Sequence, residues 1–422
     1  MHYNAVFWAI IVIVILGFAW RQVRAALNRS RMSDTLPPEL AGIYDQDEYA
    51  RQQQYQRING KLGLISSSFS TSILLALLFL GAFGWLEHLL QLHVTTDYVL
   101  LPLVFLAIML VLATVEDLPF DYYDTFVIEE RFGFNKTTKK TFFGDVLKGL
   151  ILSLIMMSIT VGVIAFLYYQ IPQWFWLIAW GVLTFFSVII GYFYSQLIVP
   201  LFNKQTPLPE GELRDALFEL SKRTDFPIKD VFVIDGSKRS TKANAYFAGF
   251  GKRKRICLYD TLIDDLSTEE IAAVLAHEIG HYKKRHVPIM MAINIAQTGF
   301  QLWLMSLFLG SSTLALALGS PSGAPSLILG LLAFSFLYVP LSELLSVGEN
   351  VLSRHNEYQA DAFAARYGYA KPLMEGLKTI SSKALVNLTP HPVVVFWTYS
   401  HPTLLQRMKA LGLGAPDAPS QN

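Results

Sequence analysis

Charge is scarce in this chain. Only 16% of its 422 residues are Asp, Glu, Lys or Arg, against about 25% in an ordinary water-soluble domain. The formal net charge is +1, so no basic surplus argues for nucleic acid and no such partner is expected. There is one cysteine, Cys257. That excludes an intramolecular disulfide framework and any multi-thiolate metal site. No internal repeat or long low-complexity tract is present. Nothing at the N-terminus reads as a cleavable leader either. MHYN carries no Lys or Arg, and the apolar run from Ala5 to Trp20 ends at Arg21 and Arg24 without a small-residue cleavage pattern. It reads as a retained first span.

What is abundant is apolar: 53% of the residues are hydrophobic, gathered in blocks. About twenty helical residues cross a bilayer. The blocks at 4–20, 65–86, 98–115, 149–169, 173–196, 287–310 and 327–347 therefore predict seven transmembrane helices. The sixth holds Asn294 and Gln297, which must face protein or a water-filled space. Lys and Arg fill the segments 21–64, 116–148, 197–286 and 348–422, while 87–97, 170–172 and 311–326 contain none. By the positive-inside rule the N-terminus lies outside and the bulky segments are cytoplasmic. The expected organisation is 1–196 with five spans, a water-facing segment 197–286, two further spans within 287–347, and a second water-facing segment 348–422.

In the first water-facing segment, EGELRDALFELSKR (210–223) has Leu213, Leu217 and Leu220 at helical spacing. KDVFVIDG (229–236), NAYFAG (244–249) and RICLYD (255–260) read as strands, the last two joined by a basic, glycine-bearing turn. One of these offers a sheet edge to which a peptide can add as an extra strand. STEE at 267–270 has the capping-box form, so a helix is expected from Thr268 on toward the sixth span.

That helix carries HEIGH. His277 and His281 stand one turn apart, about 40° around the axis, and can reach one ion from the same face. Glu278, offset by about 100°, is suited to take the proton of an attacking water rather than to ligate. Gly280 is read as leaving space beside the ion. The competing reading is two histidines packed at a membrane boundary. A catalytic zinc needs three protein ligands and one open position. His286 lies about 180° round the same helix, so it is rejected as a ligand and expected beside the site or at the surface. Glu357, in SRHNEYQADAFAARYG (353–368), is the better third ligand. Asp361, one turn on, can accept a hydrogen bond from a ligand imidazole. Alternatively both acids face solvent with Arg354 and Arg366.

HEIGH, followed after two spans by SRHNEYQADAFA, resembles the CAAX prenyl protease 1 family of integral-membrane zinc metalloproteases. LPFDYYDTFVIEERFGFNKTT (118–138), IVPLFNK (198–204), NAYFAG and YSHPTLLQR (399–407) resemble further family blocks in the same order. The shorter heat-shock membrane proteases share the zinc residues but have fewer spans and lack the 118–138 block. The resemblance implies one Zn2+ held by His277, His281 and Glu357, with Glu278 as general base. It also implies seven helices around a water-filled chamber, capped on the cytoplasmic side by a gluzincin-like protease domain with a small β-sheet. Asn244, with Ala245 and Tyr246, matches the family's substrate strand. His401 and Arg407 match residues that contact substrate or the developing oxyanion. The bland readings are a turn histidine for His401 and an ion pair to Asp361 for Arg407.

The expected partners are a peptide or protein, prenylated at its C-terminus or membrane-embedded, and membrane lipids. A bacterial cytoplasmic membrane is favoured over the endoplasmic reticulum. The rival functions are a quality-control protease without prenyl specificity, and a transporter or scaffold with a structural zinc.

Overall fold

The computed structural model describes residues 3–228, 230–248 and 255–412. The expected basic turn at 250–254, Gly249 at the end of the expected strand before it, and the tail from 413 onward lie outside the described residues.

Helix α1 (Ala5–Ser30) starts at Asn4, whose side chain accepts from the Phe7 N–H. It is followed by α2 (Gln46–Phe79), begun by Asp45 accepting from Glu48 N–H. Most of the expected loop 21–64 is therefore helix, since both spans run on into water. The second span ends at Phe79, before the expected 86. Gly81, at φ 65°, breaks the chain there and starts α3 (Ala82–His93), a turn that suits glycine because L side chains resist positive φ. Next come α4 (Leu100–Tyr123), a wider-wound stretch over Asp124–Glu129, α5 (Lys139–Gln170) and α6 (Phe175–Leu197).

A short helix α7 (Val199–Phe202) leads to β1 (Gln205–Pro207), α8 (Glu212–Arg223), β2 (Asp230–Ile234), β3 (Ala245–Ala248) and β4 (Arg255–Tyr259). These strands form one mixed sheet of order β1-β2-β4-β3, parallel only between β2 and β4. β3 is thus a free edge. Then follow α9 (Asp260–Asp265), α10 (Thr268–Lys283), α11 (His286–Ser306), α12 (Ser312–Ala317) and α13 (Leu327–Arg366). The chain closes with α14 (Ala370–Lys383), α15 (Pro392–Thr398) and α16 (Leu404–Ala410).

Among the described residues six helices are long and apolar enough to span a membrane: α1, α2, α4 with its wound extension, α5, α6 with α7, and α13. The sixth expected span corresponds to α11, 21 residues long. Its polar side chains keep it out of that set. It packs on α6, where Trp180 Nε1 donates to Ile295 O at 2.8 Å and Gly299 admits the Trp180 ring. Neighbour packing runs α1–α2–α4–α5–α6–α11–α13 and back to α1, a closed ring. Two apolar cores line it, one shared by α1 to α4 with α12 and α13, the other by α5, α6, α11 and α13.

A third core lies outside the apolar spans. Leu217 and Leu220 of α8, Ile256 and Leu258 of β4, and Ile271, Leu275 and Ile279 of α10 are all buried in it. Tyr44 and Tyr49, at the start of α2, belong to the same core, so a spanning helix is rooted in the water-facing domain. The 118–138 block is tied in as well. Lys136 N–H donates to Arg239 O, and Thr241 N–H donates to Phe134 O. Lys242 Nζ bonds Glu129 at 2.7 Å, and Arg239 pairs with Asp145 at 2.7 Å. That block therefore braces the chain just before the edge strand β3.

Candidate metal centre

The capping box is formed: Ser267 N–H donates to Glu270 Oε2 at 2.8 Å, and Glu270 N–H donates to Ser267 Oγ at 3.3 Å. From this fixed start α10 buries Ile271, Ala272, Leu275, Ala276 and Ile279. It does not continue into the sixth span, contrary to expectation. The chain turns at Arg285, φ 59°, and restarts as α11 at His286. A left-handed arginine is a strained choice, and the sequence between His281 and His286 holds no glycine to mark the turn.

Opposite α10 stands α13, whose 40 residues run unbroken from the seventh span to Arg366 with Pro340 inside. Gly280 sets their approach. A Cβ on it would lie 2.9 Å from Ala360 Cα and 3.0 Å from Phe363 Cβ. The missing side chain thus makes room for the α13 backbone, not for an ion as expected. Ala360 and Ala364, both fully buried, complete the contact and bring Glu357 to the histidines.

His277 Nε2 and His281 Nε2 are 3.1 Å apart. Glu357 Oε2 is 3.4 Å from the first, and Glu357 Oε1 is 3.2 Å from the second. Tetrahedral zinc with ligand atoms at ~2.1 Å needs them about 3.4 Å from one another. Among the described residues these three form the one His/Cys/Asp/Glu group able to hold a metal ion. Glu357 Oε2 is moreover buried without a hydrogen-bond partner, which is costly unless a cation meets it. The residues present fit zinc.

The other face of each imidazole is engaged. His277 Nδ1 lies 2.8 Å from Asp361 Oδ1, a carboxylate that only accepts, so Nδ1 carries the proton and Nε2 presents its lone pair. Asp361 is gripped by Arg407, Nε to Oδ2 at 2.9 Å and Nη2 to Oδ1 at 2.6 Å. Burial pushes the His277 pKa down, but the neighbouring carboxylates of Asp361 and Glu357 outweigh it and raise it to about 9. Without a metal, the pocket draws a proton to where zinc would sit.

His281 is held by His286, which stands beside the site, one of the two places expected of it once it is rejected as a ligand. Its Nδ1 lies 2.9 Å from Nδ1 of buried His286, whose Nε2 is 3.2 Å from Gln359 Oε1. Gln359 Nε2 in turn donates to His355 Nε2 at 2.7 Å. The amide oxygen can only accept, so His286 Nε2 donates and His286 Nδ1 accepts from His281. The second ligand lone pair is thereby turned to the same point as the first.

Glu278 is half-buried and makes no hydrogen bond among the described residues. His401 Nε2 is 3.4 Å from Glu357 Oε1 on an exposed ring. Its segment is held by Arg354, which donates to the carbonyls of Val395 (3.2 Å), Phe396 (3.3 Å) and Tyr399. The solvent-facing reading of Arg354 is therefore corrected. Pro402 keeps His401 ahead of α16, and α16 has its own capping box, Thr403 with Gln406. Arg407 is buried and its guanidinium is engaged by Asp361, with Nη1 3.7 Å from Glu357. At the sheet edge Asn244 is exposed, and its Oδ1 accepts from Ala245 N–H at 2.8 Å. Tyr246 turns instead toward Cys257 and Ser195.

A polytopic helical membrane protein whose water-facing domain sets two histidines of an HExxH helix against a glutamate from a later helix belongs to the membrane metalloproteases. Residues 26–204 match the family model described as CAAX prenyl protease N-terminal, five membrane helices, and residues 207–413 match Peptidase family M48. The chain is 36% identical to a protein named CAAX prenyl protease 1 homolog from Arabidopsis thaliana, over 89% of this chain and 90% of that one. It is 32% identical to the Homo sapiens protein of the same name, over 96% and 95%. The crystal structure of S. mikatae Ste24p matches with a TM-score of 0.89 at 32% identity, covering 97% of this chain and 99% of that one. The chain belongs to the CAAX prenyl protease 1 family of M48 peptidases and is a membrane zinc metalloendopeptidase.

Proposed function

We propose that the chain cleaves peptide bonds near the C-terminus of prenylated polypeptides, with His277, His281 and Glu357 holding one zinc ion per chain. The single observation that carries the site assignment is the convergence of the two Nε2 atoms and the Glu357 carboxylate within 4.8 Å. Zinc, when bound there, supplies a Lewis acid that polarises the scissile carbonyl and makes a water acidic. Glu278, on the same turn as His277, takes the proton of the attacking water and passes it to the leaving amine. His401, on the open side of Glu357, donates to the carbonyl oxygen as it gains charge. Arg407 serves chiefly to hold Asp361, and Asp361 holds His277.

The substrate backbone adds to β3. Tyr259 N–H donates to Asn244 O, which makes Asn244 and Tyr259 a hydrogen-bonded pair. Alternation then turns the main-chain groups of Ala245 and Phe247 toward the free edge. The Asn244 side chain, now on the Ala245 N–H, is positioned to exchange that bond for one to the peptide.

Prenyl recognition is suggested by the names of the relatives and by a cavity of about 540 Å³ between α6, α11 and α13. It begins at His281 and His286 and is walled by Val188, Val287, Met290 and Ile295. The active site facing the cytoplasm is supported by the Lys and Arg distribution. The test is hydrolysis by purified protein of a farnesylated peptide and its unmodified counterpart. Faster cleavage of the farnesylated form is expected. Equal rates on both would remove prenyl specificity while leaving the protease assignment intact.

A further inference from the structure

A second cavity, about 750 Å³, lies where α5, α6 and α7 meet strands β1, β2 and β4. Its cations are Lys148, Lys204, Lys238 and Arg255, and its one acid is Asp235. Asp235 is already occupied, accepting from Asn203 Nδ2 at 3.1 Å and from the Lys204 N–H at 2.7 Å. Among the described residues, Lys204, Lys238 and Arg255 form no ion pair. Arg255 lies over the Phe232 ring at 4.9 Å. Asp230, its register partner on β2, is not bonded to it. Lys148 has Asp145 at 3.7 Å and donates to Leu201 O, fastening α5 to α7.

The level of this cleft along the spans matters as much as its charge. Lys148 is the last cation before the apolar run of α5, and α6 ends at Leu197. The cleft therefore sits where two spans leave the hydrocarbon. Directly beside it Leu147, Leu197 and Leu201 are exposed, at 58%, 57% and 50%. A cluster of uncompensated cations above a rim of exposed leucines is complementary to one amphiphile, with its anionic group in the cleft and its chains along the rim. A free anion would account for the cations and not for the leucines.

We propose that this cleft binds the phosphate headgroup of an anionic glycerophospholipid, with Lys204, Lys238 and Arg255 around the phosphate and the acyl chains against α5 and α6. Such a lipid bridges spans and protease sheet, and the residues around it include neither a metal ligand nor a residue of β3. It is thus a separate site from the one that cuts.

The test uses the full-length zinc-loaded protein in nanodiscs of phosphatidylcholine alone or with phosphatidylglycerol. Native mass spectrometry reads the lipid carried with the protein, and thermal unfolding reads the stabilisation. The parent protein should retain phosphatidylglycerol and unfold at a higher temperature in the mixed discs. Lys204→Glu with Lys238→Glu should lower retention by at least about 25-fold, roughly fivefold for each interfacial cation lost before the added repulsion of the two acids. Its melting in pure phosphatidylcholine and its peptide hydrolysis there should match the parent. If the reversed charges prevent folding, Lys204→Gln with Lys238→Gln gives the same comparison. Unchanged retention in the folded variant overturns the proposal. So does an equal stabilisation by inorganic phosphate in discs of phosphatidylcholine alone, which would make the cleft a site for a soluble anion.

Discussion

His281 and His286 face each other Nδ1 to Nδ1 at 2.9 Å across the break between α10 and α11. His286→Phe keeps the ring and removes the acceptor, so His281 loses the bond that orients it. Zinc affinity, measured by chelator competition, should fall by about 10–100-fold, with the melting temperature of the metal-free protein little changed. An affinity within twofold of the parent would leave His286 a packing residue only.

Glu278→Gln should retain the metal and lose activity. Removing a general base costs about 10²–10⁴ in rate. Metal content per chain and hydrolysis of one peptide, measured on the same sample, check both halves. Cleavage near the parent rate is incompatible with the role given to Glu278.

Gly280→Ala places a methyl group 2.9 Å from Ala360 Cα, against main chain that cannot swing aside. Overpacking of this kind costs about 1–3 kcal/mol. Because α13 carries Glu357, metal retention should fall together with melting temperature. A variant as stable and as zinc-rich as the parent would show that the two helices do not need this approach.

Asp361→Asn leaves the Arg407 guanidinium buried without its bidentate partner. Breaking a buried pair on one side costs about 3–5 kcal/mol. Adding Arg407→Met should return part of the melting temperature but not the zinc affinity, because His277 still lacks its carboxylate. Full recovery of both would mean that Asp361 serves Arg407 and not the histidine.

For the chelated protein the pH dependence follows from His277, raised from 6.5 to about 9 on folding. The folded state binds that proton more tightly than the unfolded state. Its stabilising contribution is complete below about pH 6.5 and disappears as pH rises through about 9. Melting of the metal-free protein in detergent should therefore decline across that window. A flat profile would contradict the hydrogen bonding assigned to His277.

The spans, the capping box, the HEIGH helix and the later acidic helix were legible because each is a local pattern of hydropathy or spacing. Glu357 and Asp361 could be paired with the histidines because only a carboxylate one turn from another fits both a metal and an imidazole. What stayed hidden depends on neighbours far away in the chain. Arg285 carries no local sign of a left-handed turn. Gly280 is explained only by Ala360 and Phe363. Arg354 looked like one more surface cation beside Arg366 until its three carbonyl acceptors were in place. The helix of the second span starts well before the expected apolar block, at Gln46, because Tyr49, polar-flanked in sequence, is buried by the protease core.

The unbroken course of α13 also links catalysis to the mechanics of the bilayer. From Pro340 to Glu357 is 17 residues of continuous helix, a stiff arm of about 25 Å. Each degree of tilt about Pro340 displaces the carboxylate by about 0.4 Å over that length, and α10, packed on the same helix at Gly280 and Ala360, is carried along with it. The seventh span and both helices of the ligand triangle are in this way one mechanical unit.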